Sequence, residues 1–153
     1  MTYRDAVCGL ADRLSATEVT WAVTASANLA LRGFPVEPGD VDVMTDADGI
    51  RRIAEAFSAS VVRPVLPPAE AEHGNIRSYF GAIELAGTEV ELMGDVEHRI
   101  DGEWVPADDV ATHREFLAVD GREVPVMTLD HERRGYTAIG REERVALIDG
   151  GPA

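Results

Sequence analysis

Two periods of hydrophobic and polar residues run along the first half of the chain. Between residues 3 and 15, Val7, Leu10, Ala11 and Leu14 recur at helical spacing. Residues 19–24, Val-Thr-Trp-Ala-Val-Thr, are β-branched and aromatic and predict a strand. Ser26 is placed to cap a short helix from Ala27 to Arg32, with Gly33 as its stop. Pro35, Pro38 and Gly39 impose a loop. Asp40-Val-Asp-Val-Met44 then alternates as a half-buried strand does, and Asp46 caps a helix reaching about Phe57. Ile50, Ile53, Ala54 and Phe57 share one face of that helix. Val61-Val62 opens a further short strand, and residues 63–70 read as a proline-rich linker too short to separate two domains.

The second half changes to period two. Arg77 to Leu85 and Thr88 to Met93 flank Ala86-Gly87, and Glu115 to Val119 and Glu123 to Met127 flank Asp120-Gly121. Both dipeptides suit tight hairpin turns. Leu129 to Tyr136 and Arg141 to Ile148 read as two helices broken at Gly140. Helices and strands alternate first, and antiparallel strands and closing helices follow. The expected fold class is therefore α/β of the α+β kind, a mixed sheet flanked by helices, within a single domain over residues 1–153.

Charge alters the picture. The chain carries 28 acidic and 14 basic residues, a net charge of −14, and every basic residue is arginine. Acids spread along the whole length fit a surface adapted to high internal salt. They oppose general binding to nucleic acid, whose affinity comes from neutralised phosphates. No long apolar run marks a membrane span, so a soluble, cytoplasmic protein is expected. The one cysteine, Cys8, lies in an apolar run and reads as a small buried hydrophobe. Four histidines lack paired ligand spacing, which argues against zinc.

The candidate chemistry lies in Asp40-Val-Asp42. Alternate residues of a strand face the same way, so these carboxylates can share hard cations through oxygen while Val41 and Val43 anchor the other face. Magnesium is held in this manner in two-metal phosphoryl transfer. The start of the helix at Ser26 supplies free N–H groups and a hydroxyl beside them. A third carboxylate is needed to complete the metal site or to take a proton. Glu91 is the first choice, Glu89 has the same facing, and Glu84 is the third.

Trp21 to Gly33 followed by Asp40-Val-Asp-Val resembles the minimal nucleotidyltransferases of the DNA polymerase beta superfamily. The resemblance implies a mixed sheet with flanking helices. It also implies magnesium-dependent transfer of a nucleoside monophosphate from a nucleoside triphosphate, ATP being the expected donor, to a hydroxyl acceptor. Ser26 matches the serine that touches the triphosphate, Asp40 and Asp42 match the metal ligands, and Glu91 matches the later acidic residue. Ala25 stands where the family has glycine, and its methyl is expected to weaken triphosphate binding. The resemblance leaves open a non-catalytic nucleotide-binding or interaction module, such as a partner in a toxin–antitoxin-like pair. Arg77 is a candidate phosphate contact, and Arg141 reads as a surface residue that could face the nucleotide. Trp104 reads as a cover for the sheet. The acceptor is a small molecule, such as an aminoglycoside-like hydroxyl compound, or a protein side chain. So small a domain also leaves room for a homo-oligomer that completes the cleft.

Overall fold

The computed structural model describes residues 2–152. The first helix is α1 (Tyr3–Leu14), followed by β1 (Ala22–Thr24), α2 (Ala25–Leu31), β2 (Val41–Thr45), α3 (Ala47–Ala56) and β3 (Val61–Leu66). Then come β4 (Glu72–His73), β5 (Ile76–Leu85), β6 (Thr88–Ile100), β7 (Glu103–Pro106), β8 (Arg114–Val119) and β9 (Arg122–Met127). Helices α4 (Leu129–Ala138) and α5 (Glu142–Gly150) close the chain.

The strands form one mixed sheet with the main order β3-β5-β6-β2-β1-β9-β8; β4 is added beside β5 and β7 beside β6. The pairs β2/β6 and β1/β9 are parallel, while β1/β2, β5/β6 and β8/β9 are antiparallel. The parallel β2/β6 pairing brings segments about fifty residues apart side by side, and the intervening chain includes α3, which packs on β5 and β6.

Strand alternation gives the sheet two unlike faces. Val23, Val41, Val43, Val90 and Leu92 point to one side and join Val7, Leu10 and Leu14 of α1 and Ile50 and Ile53 of α3 in the main core. The residues between them, Asp42, Met44, Glu91 and Met93, are therefore turned to the opposite side. That side is only partly roofed, by α4 and by the loop after β7, so its polar groups meet solvent. The apolar alternation thus sets which carboxylates face outward.

Most elements lie where local sequence signals place them, and the departures have physical causes. The first strand is shorter than 19–24. Helix α2 begins at Ala25 with Thr24 as its N-cap, so Ser26 is its second residue and not the cap. Thr24 makes no side-chain cap bond, because its hydroxyl is turned toward Glu132. Residues 63–66 are strand, not linker: β3 is an edge strand with register shifts, where Pro64 costs no ladder bond that the sheet needs. Strand β6 runs on past Met93 to Ile100 and turns at Asp101-Gly102 into β7, with φ of 51° and 81° at the turn. That Asp-Gly pair carries the same hairpin signal as Asp120-Gly121, whose φ values are 48° and 83°. Asp46 does cap α3, accepting from the Gly49 N–H at 2.6 Å. Cys8 is buried, as its apolar neighbours imply. Among the described residues no helix is long and apolar enough to cross a membrane.

Candidate active site

The site begins with strand register. In the parallel pair, Asp42 of β2 lies beside Glu91 of β6; in the antiparallel pair, Thr24 of β1 lies beside Asp42. Neighbouring strands are about 4.8 Å apart, so side chains in one such row touch. Asp40, in the bend before β2, completes the group. Carboxylate oxygens of Asp40, Asp42 and Glu91 all lie within 4.8 Å of one another. Glu89 shares the facing of Glu91 but is displaced two residues along β6 and is held by Arg63 at 2.8 Å. Glu84 sits opposite Glu89 on β5, exposed and outside the cluster.

Three acids this close repel one another when ionised. Burial, reinforced by Asp40 and then Glu91, pushes the Asp42 carboxyl up to about 7. The Glu91 carboxyl is raised as well, first by burial and then by Asp40. Such a cluster holds its protons unless a cation neutralises it. Three oxygen-donor groups in reach of one point are the donor set that a hard divalent ion prefers, so the residues present fit such an ion.

Ala25 shares a recess with Asp42, and Ser26 follows it where β1 passes into α2. Ala25 has φ of 59°, the left-handed region that glycine occupies freely and alanine enters at a cost of roughly 1–2 kcal/mol. Ser26 is half-buried. The junction is fastened from a distance by Glu132 of α4, a residue that sequence reasoning missed. Its Oε2 accepts from the Ala25 N–H at 2.9 Å and from Asn28 Nδ2 at 2.6 Å. The Thr24 hydroxyl lies 2.8 and 3.0 Å from its two oxygens. Burial pushes the Glu132 carboxyl up to about 7 against the pull of these hydrogen bonds. Nothing in the run Leu129-Asp-His-Glu-Arg-Arg marks this glutamate. The available hint was Asn28, an amide among apolar residues on a short helix, which demanded a buried partner.

Two hollows open on the same face. A recess of about 190 Å³ is walled by Thr24, Asp42, Met93, His98, Glu132 and Tyr136. A larger groove of about 540 Å³ includes the carboxylates of Asp46, Asp95, Glu97, Asp108 and Asp109. Met44 and Val96 line both and form the wall between them. His98 is pushed toward its neutral form by burial, and its Nδ1 has no hydrogen-bond partner among the described residues.

Two arginines are engaged elsewhere. Arg77 pairs with Glu97 at 2.8 Å and lies 4.4 Å from the Trp104 ring, which Arg99 approaches to 4.6 Å. It does not line the recess beside Asp42. The Arg77 guanidinium is thus engaged by both a carboxylate and an aromatic ring in this structure. Trp104 lies on β7, held by these two arginines. Arg141 pairs with Glu143 on the surface.

The model of the aminoglycoside-2''-adenylyltransferase family matches residues 6–148. A candidate nucleotidyltransferase from Thermotoga maritima is 32% identical, with a TM-score of 0.84 over 98% of this chain and 94% of that one. The lincosamide antibiotic adenylyltransferase LnuA, solved with lincomycin, is 11% identical with a TM-score of 0.61 over 97% of each chain. ANT(2'')-Ia, solved with adenylyl-2''-tobramycin, is 12% identical with a TM-score of 0.56 over 93% of this chain and 83% of that one. At such low identities the last two show a shared fold. No curated protein matches in sequence.

Proposed function

The chain belongs to the aminoglycoside-2''-adenylyltransferase family, and from that premise we propose that it moves an adenylyl group from ATP to a hydroxyl of a small amine-bearing acceptor. It is a nucleotidyltransferase; the donor, the metal and the acceptor are the further step. The observation that carries this step is the Asp40, Asp42 and Glu91 cluster on the same face as a groove rich in carboxylates.

The acceptor hydroxyl oxygen forms a bond to the α-phosphorus as the bond to the pyrophosphate oxygen breaks. The hydroxyl proton passes to Glu91, whose carboxylate stands beside Asp42 in the cluster. Asp40, Asp42 and Glu91 are the residues that would hold Mg²⁺, which when bound supplies charge neutralisation of the phosphates and polarisation of their oxygens. Ala25 and Ser26, at the β1–α2 junction, receive the phosphate tail. Asp95 and Asp109 in the groove favour ammonium groups on the acceptor, an attraction that salt weakens. A scattered carboxylate trio would have weighed against catalysis, and the assembled one supports it over a non-catalytic module of the same fold.

Purified protein incubated with α-labelled ATP, Mg²⁺ and amino sugars such as tobramycin is expected to release pyrophosphate and label the acceptor. The same mixture with neutral sugars should yield little. Absence of labelled product across amine-bearing acceptors, in dilute buffer and in molar KCl alike, rejects this reading.

The cation should also compete with protons. The folded Asp42 carboxyl titrates near 7, above its ordinary value, so its protonated form stabilises the fold at low pH. That contribution is lost as pH rises toward 7. Because the cation binds the ionised form, Mn²⁺ affinity should rise by about tenfold per pH unit from pH 5 to 7 and then level off. Calorimetric titration across that range checks this, and a flat profile would place the cation elsewhere.

A further inference from the structure

Glu132 is an unusual investment for a scaffold. It is 4% exposed, and among the described residues no arginine or histidine forms an ion pair with it. A buried carboxylate without a counter-charge is costly unless its oxygens are satisfied by hydrogen bonds. All of its bonds go to one place, the β1–α2 junction, more than a hundred residues away in sequence.

That junction has little to hold it by itself. Helix α2 lacks a side-chain cap bond, and Ala25 sits at φ 59°, where its own backbone preference pulls it away. The Ala25 N–H, the Thr24 hydroxyl and the Asn28 amide all converge on Glu132. Asn28 in turn bonds to the Met127 carbonyl at 2.8 Å and accepts from Arg32 at 2.9 Å, tying the network to the end of β9. Thr24 is paired across the sheet with Asp42, so the junction's position relative to the acidic cluster passes through Glu132.

We infer that Glu132 is a positioning residue for the donor nucleotide, holding the Thr24–Ser26 turn in its left-handed shape beside Asp42 through hydrogen bonds and not through its charge. This rests on the proposed function for the identity of the ligand. An amide isostere keeps the hydrogen bonds and lacks the charge. Glutamine can place its carbonyl where Oε2 now accepts from Ala25 and Asn28, and direct its NH₂ at the Thr24 hydroxyl, which can accept as well as donate. Alanine can do neither.

Two readouts on the full chain separate the possibilities. The first is amide hydrogen exchange at Ala25 and Ser26 without ligand. The second is calorimetric binding of a non-hydrolysable ATP analogue with Mg²⁺. In Glu132→Ala the Ala25 amide should exchange at least about tenfold faster while amides of α1 and β5 keep their rates, and analogue affinity should fall by about tenfold or more. Glu132→Gln should restore both to within about threefold. Should Glu132→Ala not fold, Thr24→Val carries the test, with faster Ala25 exchange and weaker binding expected in a folded protein. Unchanged Ala25 exchange and intact binding in a folded Glu132→Ala overturn the role of Glu132 alone. Loss in Glu132→Gln as severe as in Glu132→Ala overturns the hydrogen-bond account. If the wild type binds no analogue while Ala25 exchange responds to Glu132→Ala, the donor role falls together with the proposed function, and only the fastening of the turn survives.

Discussion

Asp42→Asn should lower turnover by roughly 10²–10³-fold and at the same time raise the melting temperature at pH 8. The two effects have one cause. Asp42 is central in its row, with Glu91 on one side, Thr24 on the other and Asp40 two residues before it. Its carboxyl is driven up to about 7 because the buried, acidic surroundings disfavour its charge. At pH 8 it is ionised, and in the absence of a cation that charge opposes folding. Asparagine keeps the shape and removes the charge, so the fold gains what the metal site loses. The gain should shrink toward pH 5 and vanish only below the ordinary carboxyl value of 3.8, where Asp42 is protonated in the folded and the unfolded chain alike. Thermal melts in chelator at pH 5 and pH 8, beside turnover with Mg²⁺, check both halves. Unaltered turnover would remove Asp42 from the chemistry, and a lower melting temperature at pH 8 would show that its charge is not a burden.

Gly94→Ala should damage the fold although it adds only one methyl. Gly94 pairs with Thr45 in the β2–β6 ladder. A methyl there would meet the Asp46 carbonyl oxygen at 2.8 Å, its carbonyl carbon at 3.1 Å and Ile50 Cγ2 at 3.2 Å. The first two are backbone, so no rotamer change relieves the contact, and the start of α3 must move away from the sheet. Overpacking of this kind costs roughly 2 kcal/mol, which for a domain of this length lowers the melting temperature by about 4–8 °C. Gly135→Ala on α4 is the contrasting control. Nothing lies within 4 Å of its added methyl, and alanine favours helix, so a small gain is expected. Denaturant or thermal unfolding of the two variants decides the matter. Equal stabilities would mean that the close approach of α3 to β6 is not rigid.

Several features of the site could be read locally because their physics is local. The alternation through Asp40-Val-Asp-Val-Met44 is a property of five adjacent residues, and so is the outward facing of Asp42. The Asp46 cap and the Asp120-Gly121 turn depend on contacts within three or four positions. Asp101-Gly102 carried the same signal, and β7 follows from it. The boundaries of β3 depended instead on its partner, since β5 recruits residues 61–66 into the sheet despite Pro64.

What the sequence by itself determined is the period of each element, the mixed α and β order and the two aspartates of the acidic cluster, because short-range spacing dictates all of them. Only the tertiary structure could decide among the later acids. Glu89 and Glu91 face the same way on β6, so strand period does not separate them; the β2–β6 register does, by placing Glu91 against Asp42 and leaving Glu89 to Arg63. Glu132 and Arg77 were likewise settled by partners far away in the chain. Burial beside Thr24 and Asn28 brought Glu132 to the β1–α2 junction, and Glu97 with Trp104 holds Arg77 on the β5–β7 side of the sheet. Register and burial are properties of pairs of distant segments, and neither member of a pair carries them alone.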